Sequence, residues 1–121
     1  MKNRRRTYRV AEKIRSIVAY NLLQTTDPRL KLVTITSVVV SSDLRMAKLY
    51  WVISGGKERV LKAEEAFEGA RSFFRKHMAE ELGMKFVPEL RFYYDNTLDT
   101  VEEVDRLLDK VSRSSDEKRT V

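Results

Sequence analysis

The chain contains no cysteine, one histidine, two prolines and four glycines in its 121 residues. Without thiols there is neither a disulfide framework nor a thiolate metal site, which fits a reducing compartment. His77 is the lone imidazole, so histidine-paired nucleophiles are restricted to a single base and cysteine hydrolases are excluded. It lies one helical turn from Phe73 and Phe74, as a packed or boundary residue would. It also lacks the second histidine of the zinc-protease helix pattern. No phosphate-binding loop or dinucleotide fingerprint occurs, and Gly55-Gly56 is a turn signal. The carboxylate pairs Glu64-Glu65, Glu80-Glu81 and Glu102-Glu103 diverge around helical segments and read as solvated faces, not as convergent acid/base dyads. No catalytic residue, cofactor or metal is therefore assigned. No run approaches the roughly 18 apolar residues of a membrane span, and the basic N-terminus lacks the apolar stretch of a secretory signal. A soluble, cytoplasmic, non-enzymatic protein is expected.

What is present is enough apolar residue, 42% of the chain, for one modest core. We expect a single domain over 1–111 and a polar, disordered tail over 112–121. The net charge of +6 is unevenly placed. Residues 1–24 carry seven Lys/Arg against one acid, residues 25–98 twelve against ten, and residues 99–121 five against seven. Positive charge concentrated at one end of a nearly neutral body points to a polyanionic partner.

Periodicity supplies the elements. After a basic lead, Lys2 to Arg6, an apolar stripe at Val10, Ile14, Ile17, Val18 and Leu22 predicts a helix with Thr7 as N-cap, running to about Leu23. Asp27-Pro28 ends it. Leu32 to Ser41 is rich in Val, Ile and Thr and reads as a strand. Its apolar parity changes between Val33/Ile35 and Val38/Val40, so a bulge is expected near Thr36-Ser37, with burial on both faces as the alternative. The turn Ser41 to Arg45 leads into an antiparallel second strand, in which Ala47, Leu49, Trp51 and Ile53 alternate with Lys48, Tyr50 and Val52. A third strand follows Val87-Pro88, with Leu90, Phe92 and Tyr94 on one face. Tyr50 and Tyr93 therefore leave the core side, where exposed rings could stack on bases, but tyrosine is also simply a good strand former, and that plainer account is favoured. The basic-aromatic consensus of RNA-recognition-motif strands is missing. A final short amphipathic helix carries Val101, Val104, Leu107, Leu108 and Val111.

Between the second and third strands lies a helical run from Lys57 to Leu82, with a stripe at Val60, Ala63, Phe67, Ala70, Phe74 and Met78. Unbroken from Glu58 it would be about 37 Å long, against a radius of gyration near 13 Å for a compact chain of about 100 residues. A bend is expected, and Gly69 is the cheapest place to begin it. Arg71 and Arg75 project together one turn apart, with Lys76 nearby and Ser72 able to donate to a phosphate. At a bend, exposed backbone beside a new helix N-terminus suits a phosphodiester chain. The competing account is an ordinary solvent-facing helix surface. A peripheral membrane module built on the basic first helix is a further alternative, although it needs an apolar face that the core already claims.

The ordered series Arg6-Thr7-Tyr8-Arg9-Val10-Ala11-Glu12-Lys13-Ile14-Arg15, Asp27-Pro28-Arg29-Leu30, Val33-Thr34-Ile35-Thr36, Asp43-Leu44 and Val87-Pro88-Glu89-Leu90 resembles bacterial ribosome-binding factor A. The resemblance extends to about Leu98. It implies an α+β, type II KH-like domain with a three-stranded sheet, helices on one face, and the order α-β-β-α(kink)α-β-α. It also implies a non-catalytic factor that binds the immature small (30S) ribosomal subunit and its 16S rRNA, assisting late maturation and 5′-end processing and supporting growth in the cold. A general KH-type RNA-binding module is the alternative. Other assembly factors are conceivable partners, and a monomer is expected. The family's Ala-x-Gly kink falls on Ala70-Arg71-Ser72, with Gly69 just before and serine in place of the final glycine. Charge pattern and resemblance together nominate Arg4, Arg5, Arg6, Arg9, Lys13, Arg29, Arg45, Lys48, Arg71, Ser72, Arg75 and Lys76 as RNA contacts.

Overall fold

The computed structural model describes residues 2–97, 99 and 103–111. Its elements are α1 (Lys2–Gln24), β1 (Thr34–Val40), β2 (Met46–Val52), α2 (Lys57–Gly69), α3 (Arg71–Leu82) and β3 (Glu89–Tyr94). Residues 103–111 are also helical, but Val104, Leu107, Leu108 and Val111 are all exposed and add nothing to the core. Val101 and the tail over 112–121 lie outside the described residues.

The first helix begins earlier than its apolar stripe. The arginines from Arg4 to Arg6 belong to it, and Thr7 is no N-cap: its hydroxyl donates to the Arg4 carbonyl at 3.0 Å. That back-bond to the preceding turn is what lets threonine sit inside a helix, where its side chain would otherwise compete with the backbone. Burial begins at Ala11 and continues through Ile14, Val18 and Leu22, which pack on the sheet and on α3.

The sheet order is β1-β2-β3. β1 and β2 are antiparallel, with Ile35 opposite Trp51 and then Ser37 opposite Tyr50, so Thr36 is the extra residue of a bulge. The bulge shifts side-chain parity by one and returns Val40 to the buried face that Ile35 occupies. β2 and β3 are parallel, pairing Leu49 with Phe92. A parallel pair needs a crossover, and α2 and α3 supply it, covering one face of the sheet.

Under the crossover lies an aromatic cluster. Phe67 of α2 stacks on Phe92 of β3 at 4.4 Å between centroids, Trp51 of β2 lies 5.1 Å from Phe67, and Phe74 of α3 lies 5.2 Å from Phe92. One ring from each side of the α2/α3 junction is thus held against the same strand. The junction itself is Ala70, at φ −98 and ψ 5. Its N–H bonds the carbonyls of Ala66 and Phe67, while its own carbonyl accepts from Phe74 N–H at 3.0 Å. Ala70 closes one helix and opens the next. A ψ near zero instead of about −42° changes the direction of the axis at this residue.

Gly69 is helical, lacks a positive φ, and has nothing within 4 Å of the place a Cβ would occupy. Neither strain nor crowding requires glycine there. Gly69→Ala is expected to raise stability by about 0.5–1 kcal/mol through loss of unfolded-state freedom, leaving the bend in place. Urea denaturation checks this, and a clear loss of stability would show that the bend needs the glycine.

Candidate nucleic-acid interface

At the bend, α3 starts with no side-chain cap. The first N–H groups of such a helix look for acceptors outside it, and its dipole favours an anion there. Ser72 and Arg75 lie exposed on the first turn and a half, and Lys76 follows. Arg45 arrives from the β1–β2 turn. That turn is pinned by Asp43, which accepts from the Ser41 hydroxyl at 2.7 Å and from Arg45 N–H at 3.1 Å. Together Arg45, Arg71, Ser72 and Arg75 line a groove of about 610 Å³.

A second groove, of about 620 Å³, runs between α2 and the open edge of β3 and is lined by Phe67, Arg91, Tyr93 and Tyr94 among others. Glu89 and Asp95 direct their N–H groups to β2, so by alternation the backbone polar groups of Leu90 and Phe92 point to this open edge. Both grooves share Glu68, Arg71 and Glu89. Arg71 is clamped there, 3.4 Å from Glu68 and 3.5 Å from Glu89. These half-exposed pairs contribute little stability. What they do is hold the guanidinium at the meeting point of the two grooves.

The other candidates are dispersed. Arg4, Arg5 and Arg9 form an exposed patch with Tyr8 on the first turns of α1, and Arg6 is exposed beside them. Lys13 donates to the Leu82 carbonyl at 3.2 Å, at the end of α3 away from the bend. A lysine there complements the negative end of the helix dipole. Arg29 grips Asp27 through two bonds of 3.1 and 2.8 Å, holding the Asp27 carboxyl below its usual range. Lys48 is exposed on the sheet face opposite the helices. His77 is half-buried with its ring 4.4 Å from that of Phe73. Sequence reasoning missed Glu68, Glu89 and Arg91 as groove residues. Only Glu68 carried a local signal, its helical spacing of three from Arg71.

A family model for ribosome-binding factor A matches residues 6–108. The chain belongs to the ribosome-binding factor A family. The ribosome-binding factor A of Geobacter metallireducens is 35% identical over 108 residues, covering 88% of this chain and 92% of that one. The crystal structure of ribosome-binding factor A from Thermus thermophilus superposes with a TM-score of 0.66 at 23% identity, over 73% of this chain and 93% of that one. A Thermus thermophilus ribosome-binding factor A homology model fitted into the cryo-EM map of a 30S complex gives 0.59 at 24%, over 70% and 90%. These likenesses match the α+β, KH-like architecture. Among the described residues no helix is long and apolar enough to cross a membrane, and no group of His, Asp and Glu could hold a metal ion.

Several carboxylates tie the fold to pH. Asp95 sits below its ordinary pKa because the Thr97 hydroxyl and then Thr36 donate to it, and Asp43 sits low because of Ser41. A carboxyl depressed in the folded state stabilises above its unfolded pKa, and that contribution is lost as pH falls through the folded value. Stability is therefore expected to fall as the pH drops below the unfolded aspartate value of about 3.9. Asp95→Asn should be less stable at neutral pH and lose less on acidification, as read by urea midpoints. An identical acid response in the two proteins would contradict this.

Proposed function

We propose that this chain is a non-catalytic assembly factor that binds the immature small ribosomal subunit through its 16S rRNA and assists late maturation, including 5′-end processing. Family membership supports the subunit as the target, as does the 30S complex of the Thermus thermophilus relative. The observation that carries the mechanism is the uncapped start of α3, ringed by Arg45, Arg71, Ser72 and Arg75. Phosphates of the RNA lie there against backbone N–H groups and guanidinium groups, while the arginines of α1 form a second contact. Phosphate contacts of this kind position the protein without reading sequence. The protein works as a cytoplasmic monomer over a domain of residues 1–111. A membrane-surface role for α1 is disfavoured, because the apolar stripe it needs is buried in the core.

If about six phosphates are neutralised, the logarithm of the association constant with purified small subunits falls against log salt with a slope of about −5. Binding that ignores salt would overturn the mechanism. The double variant Arg71→Glu, Arg75→Glu should weaken association at least tenfold while its unfolding midpoint shifts little, since both residues are exposed. Unchanged co-sedimentation would make these arginines bystanders. Equal affinity for subunits and for arbitrary RNA of similar length would favour a general RNA-binding module.

A further inference from the structure

The helices cover one face of the sheet, and the other face carries its own pattern. Along β2 and β3 the buried Ala47, Leu49, Trp51 and Leu90 alternate with Lys48, Tyr50, Arg91 and Tyr93. Parallel register sets Tyr50 beside Tyr93, with ring centroids 5.8 Å apart, and Lys48 beside Arg91. Tyr93 is 40% exposed and Val39, the antiparallel partner of Lys48, is 55% exposed.

Two features distinguish this face from a merely solvated one. Like charges opposite one another on adjacent strands destabilise a sheet, and here Lys48 and Arg91 are direct partners. Arg91 is partly offset by Glu89 at 3.5 Å, whereas among the described residues Lys48 makes no ion pair. A local conflict relieved on one strand only points to a site shaped for something other than stability. The cations also flank a pair of rings, so the face combines positive charge with stacking surface.

We propose that this open sheet face is a second RNA-binding surface, with Tyr50 and Tyr93 stacking on bases of single-stranded RNA and Lys48 and Arg91 meeting its phosphates. The proposal rests on the RNA-binding reading above and extends it to a different part of the molecule. A second copy of the chain is a poor occupant, because a two-fold contact would set the Lys48 and Arg91 charges of both copies into one interface whose core should be poor in charge. RNA supplies the opposite charge and flat rings together. Arg91 and Tyr93 also line the groove beside α2, so a strand leaving that groove crosses the edge of β3 directly onto this face.

The test uses the full chain and a single-stranded oligouridylate carrying 4-thiouridine. In the wild-type protein, crosslinks are expected in peptides containing Tyr50 and Tyr93, and crosslinks confined to the bend and α1 would overturn the proposal. Tyr50→Val with Tyr93→Val, which keeps strand-forming residues, should bind the oligonucleotide at least about tenfold more weakly. The corresponding Phe variants should retain affinity, and Lys48→Gln should make the salt slope shallower by about one. Wild-type affinity in the Val variant overturns the platform. So does a Val variant whose only change is in self-association, which would assign the face to a second copy. Subunit binding separates the two readings: loss in Arg71→Glu, Arg75→Glu with none in the Val variant leaves the assembly function standing and the platform refuted.

Discussion

The fold turns on one contact, the stack of Phe67 on Phe92 at 4.4 Å. Phe67 ends α2, Phe74 begins α3, and both rings lean on the same residue of β3, with Trp51 closing the cluster from β2. Because rings on both sides of Ala70 are fixed to one strand, the angle between the helices is set by core packing. Interiors pack at crystal density and do not accommodate intermediate angles. The bend is thus a rigid feature, and the uncapped N-terminus of α3 is presented in one direction.

That rigidity gives the interface its character. The site at the bend is preformed from backbone and needs only side chains that reach around it. Among the described residues Arg75 and Arg45 make no ion pair, whereas Arg71 is held between Glu68 and Glu89. The groove beside β3 sets Glu64, Glu68 and Glu89 against Arg71 and Arg91, whereas the groove at the bend sets Glu68 and Glu89 against Arg45, Arg71 and Arg75 and is the more basic of the two. A polyanion is steered to the basic end first. Among the described residues, the buried Trp51 Nε1 and Asn21 Nδ2 have no hydrogen-bond partner, a local cost accepted in the core.

Much of this was legible in the sequence where the physics is local. The parity change between Ile35 and Val38 signalled a bulge or burial on both faces, and the register shift between Ile35 and Ser37, with Ile35 and Val40 both buried, decides for the bulge. The length of the run from Lys57 to Leu82 required a bend. The stretch beginning at Gly69 was the cheapest place for it and the resemblance put it on Ala70-Arg71-Ser72; the turn sits at Ala70, where the rings on either side, and not the freedom of Gly69, fix the change of axis. Thr7 misled for a related reason, its hydroxyl being satisfied by the Arg4 carbonyl inside the helix. The pairings of Lys13 with Leu82 and of Arg71 with Glu89 join residues far apart in the chain. No spacing rule reaches that far. The helix over 103–111 was recognisable by its stripe, but exposure of that stripe depends on what the folded body leaves uncovered.

The absence of cysteine allows a single probe to be attached without background. An iron chelate tethered at Ser72→Cys, on the first turn of α3, would generate hydroxyl radicals within reach of whatever RNA the bend contacts on purified small subunits. Localised cleavage of 16S rRNA from this position, with none from the same probe at Asp105→Cys on the exposed helix over 103–111, is the predicted result. Cleavage from Asp105→Cys with none from Ser72→Cys would contradict the claim that the bend is where this protein holds RNA.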